Sequence, residues 1–287
     1  MKAQTLKKHP MDRPWRILLW GPAKQGKTVR AHTFPRTRTI DFDDGMLSVM
    51  WGIKAGIIKK DPSEIVYATI KEGEEEKERG KHGYIVRPAA LDRATDQIDA
   101  WLKEDDWDTL IVDSATSLNM FCLLKGTKSM GDEGYSESWK KSVKMNLLIP
   151  RIQDYGGAKN LFLQFIEWVI SIDKNVIIIC HEYENTTASG IVRSYQPLLI
   201  GSLREEIPKM FDEVWYNYMT TDDDKFKVMM KTRSDKNHRC GSRLGCLDPE
   251  EEAFSYAEIV KKVEKFWGSR GSKSGAKAGA KVSVAVS

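Results

Sequence analysis

The chain has 287 residues, 41% of them hydrophobic and 30% charged, enough apolar material for a real core in one large domain or two small ones. Its longest apolar runs, such as Asn175 to Cys180, are far too short to span a bilayer, and the basic stretch Met1 to Pro10 has no apolar segment behind it, so a cytoplasmic protein is expected rather than a secreted or membrane one. The formal charge of +4 equals the four basic residues of the acid-free C-terminal stretch, Arg270, Lys273, Lys277 and Lys281. The rest of the chain is therefore balanced, and a nucleic-acid site there would have to be a local patch.

In chain order, residues 1–13 read as a basic arm, residues 14–267 as one domain, and residues 268–287 as a disordered Gly/Ser/Ala/Lys tail. Trp15 to Trp20 is an apolar run suited to a buried strand. It leads into Gly21-Pro22-Ala23-Lys24-Gln25-Gly26-Lys27-Thr28, which fits G-x-x-x-x-G-K-[ST] at every fixed position. A helix can open at Val29 and stop before Pro35. Strand, glycine loop and helix start make this a P-loop. Its backbone N–H groups would cradle phosphate oxygens, Lys27 would reach the β/γ-phosphates, and Thr28 would ligate Mg²⁺. ATP and Mg²⁺ are thus the expected ligands, with Gly21 to Val29 as the nucleotide-binding stretch.

Arg38 to Phe42 reads as a second strand ending in Asp43-Asp44-Gly45. Ile65 to Ile70 is another strand, Glu72 to Lys81 a solvated charged stretch, and Gly83 to Val86 a short strand or part of a hairpin. Ala89 to Lys103 carries apolar residues near helical spacing. Thr109 to Ser114 is an apolar strand ending in an acid. Asp113 lies roughly 85 positions after the P-loop, as a Walker B carboxylate that holds Mg²⁺ would. A polar stretch from Lys125 to Ser138 follows, then a helix from about Ala158 to Ser171. Asn175 to Cys180 is a buried strand ending at His181-Glu182. Tyr183 to Gln196 is polar and rich in breakers. A helix near Ser202 to Phe211 precedes strands Glu213 to Tyr218 and Phe226 to Thr232, joined through Asp222-Asp223-Asp224. Glu250 to Trp267 reads as a last helix. Strands alternating with helices imply an α/β fold with a mostly parallel, helix-flanked sheet and a late antiparallel hairpin. The four cysteines form no C-x-x-C pair and are expected to be free thiols. His238, Cys240 and Cys246 match no common zinc spacing.

The order of P-loop, acid after the second strand, strand ending Asp-Ser and strand ending in a polar residue resembles the RecA-like ATPase core. More narrowly, the chain is similar to phage-encoded RecA-like ATPases, single-strand annealing recombinases among them. Tyr155-Gly156-Gly157, read as a turn before the long helix, and Phe211-Asp212-Glu213-Val214 before the hairpin carry the narrower likeness. The resemblance implies a RecA-like P-loop NTPase fold and a DNA-stimulated ATP hydrolase working in the host cytoplasm. It implies that Asp43, with Asp44 beside it, stands where the family keeps a water-activating glutamate, and that His181 senses the γ-phosphate. The family's DNA loops would fall within Lys125 to Lys144 and Glu182 to Tyr195, where Lys125, Lys128, Lys140, Lys141, Lys144 and Arg193 could meet phosphates and Tyr135, Trp139, Tyr183 or Tyr195 could stack on bases. Lys231 and Arg233, with Arg239 and Arg243 as alternatives, match basic residues that reach a neighbour's ATP. The implied partners are single-stranded DNA, further copies of the chain in a ring or filament, and a single-strand-binding protein.

Two other readings stay open at this point. A P-loop kinase would transfer phosphate to a small molecule, and a nucleotide switch or packaging or loading factor would turn over little. The shorter side chain at Asp43 keeps the second in view.

Overall fold

The computed structural model describes residues 9–71, 78–80, 83–85, 88–129, 150, 152–222, 225–252 and 255–269. The N-terminal arm before His9 and the tail after Ser269 lie outside the described residues, as do Tyr135, Trp139, Lys140, Lys141 and Lys144 and the side chain of Lys128.

The chain order is β1 (Arg16–Gly21), α1 (Lys27–Ala31), β2 (Thr37–Asp41), α2 (Met46–Lys54), β3 (Ile65–Thr69), β4 (Glu78–Gly80), β5 (Gly83–Ile85), α3 (Ala90–Trp101), β6 (Thr109–Asp113), α4 (Ala115–Ser129), α5 (Asp154–Ser171), β7 (Asn175–Thr186), β8 (Val192–Pro197), α6 (Leu203–Glu206), β9 (Glu213–Asp222), β10 (Lys225–Lys231), β11 (Gly241–Ser242), β12 (Glu250–Glu252) and α7 (Tyr256–Trp267). The main sheet runs β12-β10-β9-β1-β7-β6-β2-β3, with β11 on β9 and β8 on β7. Strands β9, β1, β7, β6, β2 and β3 are mutually parallel. The remaining pairings are antiparallel. This is the expected α/β fold, a mostly parallel sheet flanked by helices, with the late hairpin β9–β10 attached to the parallel core.

Alternation along the central strands sorts the side chains onto two faces. Leu18, Trp20, Leu110, Val112, Val176 and Ile178 pack with Ile98 of α3, Leu118 of α4 and Phe162 and Ile166 of α5. Ile17, Leu19, Ile111, Ile177 and Ile179 pack on the other face with Ala31 of α1 and Ile259 and Val263 of α7. These strands are covered on both sides, which is why their sequences are continuous apolar runs.

The structure departs from the sequence expectations at several places. Tyr155-Gly156-Gly157 is not a turn but lies in the first turns of α5, which starts at Asp154. Glycine is a poor helix former, and the close approach of the two helices falls at Gly126 of α4 rather than at Gly156 or Gly157. A Cβ at Gly126 would lie 3.0 Å from the Ala158 nitrogen, whereas one at Gly157 would sit at an ordinary contact distance of 4.0 Å from the Gly126 Cα. Polar Tyr183 to Gln196 is no loop. β7 continues to Thr186 and turns back into β8, so alternate residues remain half-exposed on a two-stranded extension. Residues 250–252 join the sheet edge beside β10 instead of starting the last helix. That helix begins after Ser255, whose side chain accepts from the Glu258 N–H as an N-cap. The Ser202 to Phe211 helix is only α6, followed by a 3-10 turn over Ile207–Met210 with Pro208 at its start.

Because the atoms facing Gly126 are backbone and cannot rotate away, Gly126→Val should lower unfolding free energy by about 1–3 kcal/mol, read by urea denaturation; Gly126→Ala should cost less.

Candidate active site

The phosphate loop, Asp43, Asp113 and His181 all sit where the parallel pairing of the strands ends. The register sets Asp41 beside Asp113, and Gly21 beside His181. The loop between β1 and α1 departs from ordinary backbone: φ is +146° at Gly21, +61° at Lys24 and +82° at Gly26. Gly21 is required there, since a Cβ would lie 2.0 Å from the carbonyl oxygen of Asn217 on β9. The Asn217 side-chain amide, fully buried, donates to the Gln25 carbonyl.

Lys27 is buried, and its Nζ donates to the carbonyls of Gly21, at 2.9 Å, and Pro22, at 2.5 Å. Burial pushes its pKa down to about 8, against the pull of Asp113, Cys180, Glu182 and Asp43. The Thr28 hydroxyl donates to Asp113 Oδ2 at 2.6 Å. Burial pushes the Asp113 carboxyl up to about 6. The Thr28 bond opposes that, and nearby Asp43 and Asp41 add to it. Asp41, also buried, accepts from the N–H groups of Asp43 and Gly45 at 3.1 Å, and burial again raises its pKa. A Cβ at Gly45 would lie 3.8 Å from Asp113 Oδ2 and 4.0 Å from both Asp41 Oδ1 and Thr28 Oγ1. Three hard oxygens thus border one glycine, a donor set that fits Mg²⁺.

Asp43 and Asp44 part company. Asp43 accepts from His181 Nε2 at 3.0 Å with one carboxylate oxygen and from the Ser117 hydroxyl with the other. Burial works against its ionisation, but hydrogen bonds from His181, Ser117 and Ser114 outweigh it and hold the carboxyl below its usual range. Asp44 pairs with Lys71 at 2.8 Å and is largely exposed. The His181 N–H donates to the Thr116 hydroxyl at 3.1 Å. Next along β7, Glu182 accepts from the Tyr216 hydroxyl at 2.6 Å.

The other expected residues are not gathered here. Among the described residues, Lys231, Arg233 and Arg243 make no bond to the loop, Asp43, Asp113 or His181. Lys231 pairs with Asp235 at 2.7 Å and Glu250 at 3.1 Å, Arg243 pairs with Asp212, and Arg233 is exposed. Arg239 stands 3.7 Å from Glu205. Of the residues expected to meet DNA, Lys125 pairs with Asp92, and Arg193 is exposed on β8. Tyr183 lies under the Arg204 guanidinium at 3.7 Å, and Tyr195 stacks on His238 with ring centroids 4.8 Å apart, so both rings already have partners within the chain.

Sequence reasoning missed Asp41, Thr116, Ser117 and Asn217. Thr116 and Ser117 directly follow the Asp113-Ser114 strand end, and that proximity is their local signal. Nothing local marks Asn217, whose role depends on β9 lying beside β1.

A family model described as AAA domain (AAA_24) matches residues 13–244. The chain belongs to this AAA domain family. P-loop ATP hydrolysis is the activity of that class, and nucleotide with Mg²⁺ its usual ligand set. No curated protein matches the chain. Among solved structures, this AAA domain is similar to a KaiC-like protein from the archaeon Pyrococcus horikoshii, at 11% identity and a TM-score of 0.40, covering 80% of this chain and 82% of that one. It is also similar to the flagellar accessory protein FlaH from Methanocaldococcus jannaschii, at 11% identity and a TM-score of 0.42, covering 86% and 92%. Likenesses at this level define neither substrate nor partner. No helix among the described residues is long and apolar enough to cross a membrane.

Gly21→Ala should destabilise the AAA domain by about 2–3 kcal/mol through backbone strain and the clash with β9, read by urea denaturation. It should also abolish binding of a fluorescent ATP analogue by the fraction that still folds.

Proposed function

We propose that the chain is a Mg²⁺-dependent ATPase that works as an oligomer on single-stranded DNA in recombination or annealing. The observation that carries the ATPase reading is the 2.6 Å bond from Thr28 to Asp113, which joins the two ends of the Walker pair across roughly 85 residues of sequence. Gly21 to Val29 would hold the triphosphate, with Lys27 exchanging its loop carbonyls for phosphate oxygens. Thr28 and Asp113 would hold Mg²⁺, with Asp41 ordering the surrounding water. Bound there, Mg²⁺ would offset charge on the phosphates.

Asp43 is the water-orienting group in this reading, and Asp44 is not, because Asp44 is turned to Lys71. The family place of Asp43 belongs to the longer Glu, and its contact to His181 supports a joint role in which the imidazole reads the γ-phosphate and the carboxylate aligns the attacking water. The DNA part rests on β7. This single strand carries His181 and then runs on into the hairpin with β8, where Arg193 is exposed. A change at His181 would be felt along a continuous strand at the surface proposed to meet DNA phosphates. Lys27 is the buried cation of the site, and Lys231 or Arg233 of a neighbouring copy, with Arg239 or Arg243 as alternatives, would complete it.

One observation favours a second reading, a nucleotide switch with little turnover. Both oxygens of Asp43 are engaged, by Ser117 and His181, so an attacking water would have to share the remaining lone pairs with partners that already fix the carboxylate.

Lys27→Ala should abolish hydrolysis. Asp43→Asn should lower kcat by about 10²- to 10⁴-fold with ATP affinity retained. ATP hydrolysis by the full chain should rise when single-stranded DNA is added, and Arg193→Ala should blunt that rise. Measurable but DNA-insensitive turnover would refute the DNA role, and negligible turnover under all conditions would favour the switch.

A further inference from the structure

We infer that Asn217 is a positioning residue that sets the phosphate loop in its binding conformation by orienting the peptide between Gln25 and Gly26. The inference rests on the nucleotide-binding reading of Gly21 to Val29.

β9 pairs with β1 from Ile17 opposite Glu213 to Trp20 opposite Tyr216, and there the ladder stops. The next residue on β9 is Asn217. Its carbonyl oxygen closes off the space beside Gly21, where no Cβ could fit. Its side-chain Nδ2 donates to the Gln25 carbonyl four residues further along the loop. One buried residue therefore grips the loop twice, by backbone at its start and by side chain near its end. The amide orientation follows from the partner: a carbonyl requires the NH₂ group, because the amide oxygen in its place would repel. The Asn217 backbone stands opposite Met230 in the β9–β10 ladder, but its side-chain Oδ1 is left without a partner among the described residues, so the amide is held by its Nδ2 bond alone. A buried amide with half its capacity unmet costs stability, and its place in the fold is explained by what it holds.

The consequence concerns one N–H group. In a planar trans peptide the carbonyl and the following N–H point in opposite directions. With the Gln25 carbonyl turned to Asn217, the Gly26 N–H is turned away from β9. That leaves it free for a phosphate oxygen. Gly26 has φ of +82°, in the region where glycine moves readily, so the peptide would flip without a partner to hold the carbonyl. A carboxylate at position 217 would capture the Gly26 N–H in the flipped state and withdraw it from the ligand.

The test compares Asn217→Asp, Asn217→Ala and Asn217→Ser in the full chain. Affinity for a fluorescent ATP analogue with Mg²⁺ is measured well below each variant's melting temperature. Positioning predicts that Asn217→Ala and Asn217→Ser weaken binding about tenfold and that Asn217→Asp, closest in shape, weakens it most. A space-filling role predicts the reverse order, with Asp the mildest, and that ranking overturns the proposal. So does unchanged affinity in variants that only melt earlier. If the variants do not fold, the wild-type protein labelled with ¹⁵N-asparagine decides. The Asn217 side-chain amide should be protected from exchange and should shift on adding the analogue; an exchanging or unresponsive amide overturns the proposal. Failure of the wild type to bind the analogue at all would sink the nucleotide-binding reading and this inference with it, whereas equal binding by wild type and variants sinks the inference alone.

Discussion

The parallel register of β9, β1, β7, β6 and β2 is the constraint on which everything else depends. It ends the strands at one edge, and through that edge it sets Asp41 next to Asp113 and Gly21 next to His181. A slip of one residue in β6 would turn Asp113 to the opposite face of the sheet and break its bond to Thr28. The slip is prevented by burial on both faces. Ile111 belongs to one apolar cluster while Leu110 and Val112 belong to the other, so a one-residue slip would exchange their places and force both clusters to repack.

That rigidity lets the sheet edge carry charges that would otherwise be expensive. Lys27, Asp41 and Asp113 are all buried, and burial is the leading cause of the shift at each. None is stable alone in such surroundings. Each is met by a dipole or an opposite charge: the lysine by the Gly21 and Pro22 carbonyls, Asp41 by two backbone N–H groups, and Asp113 by the Thr28 hydroxyl. The two carboxylates, both raised by burial, make an edge suited to a divalent cation, which would relieve their crowding.

Asp43 and His181 couple two elements, the turn after β2 and the end of the apolar part of β7, through one 3.0 Å contact. β7 then crosses from a buried interior to a two-stranded extension whose side chains, Pro197 apart, are half-exposed or exposed. The chemistry proposed at the edge and the surface proposed for a partner therefore share a backbone.

The sequence by itself determined the P-loop, the strand that ends in Asp113, the parallel core and its late hairpin, because each is written locally: glycines at fixed offsets, apolar runs of strand length, an acid closing a run. It also singled out Asp43 and His181 through family order. It misjudged Tyr155-Gly156-Gly157 and the β7–β8 extension, because paired glycines read locally as a turn although α5, packed on α4, runs through them, and a polar segment reads as a loop until its ladder partner is known. Only the tertiary structure decided that Asp43 faces His181 while its neighbour Asp44 faces Lys71, that Asp41 joins the acidic edge, and that Asn217 grips the loop. Those facts depend on contacts between residues far apart in the chain, such as Asn217 and Gln25. Strand packing creates such contacts, and no local pattern records them.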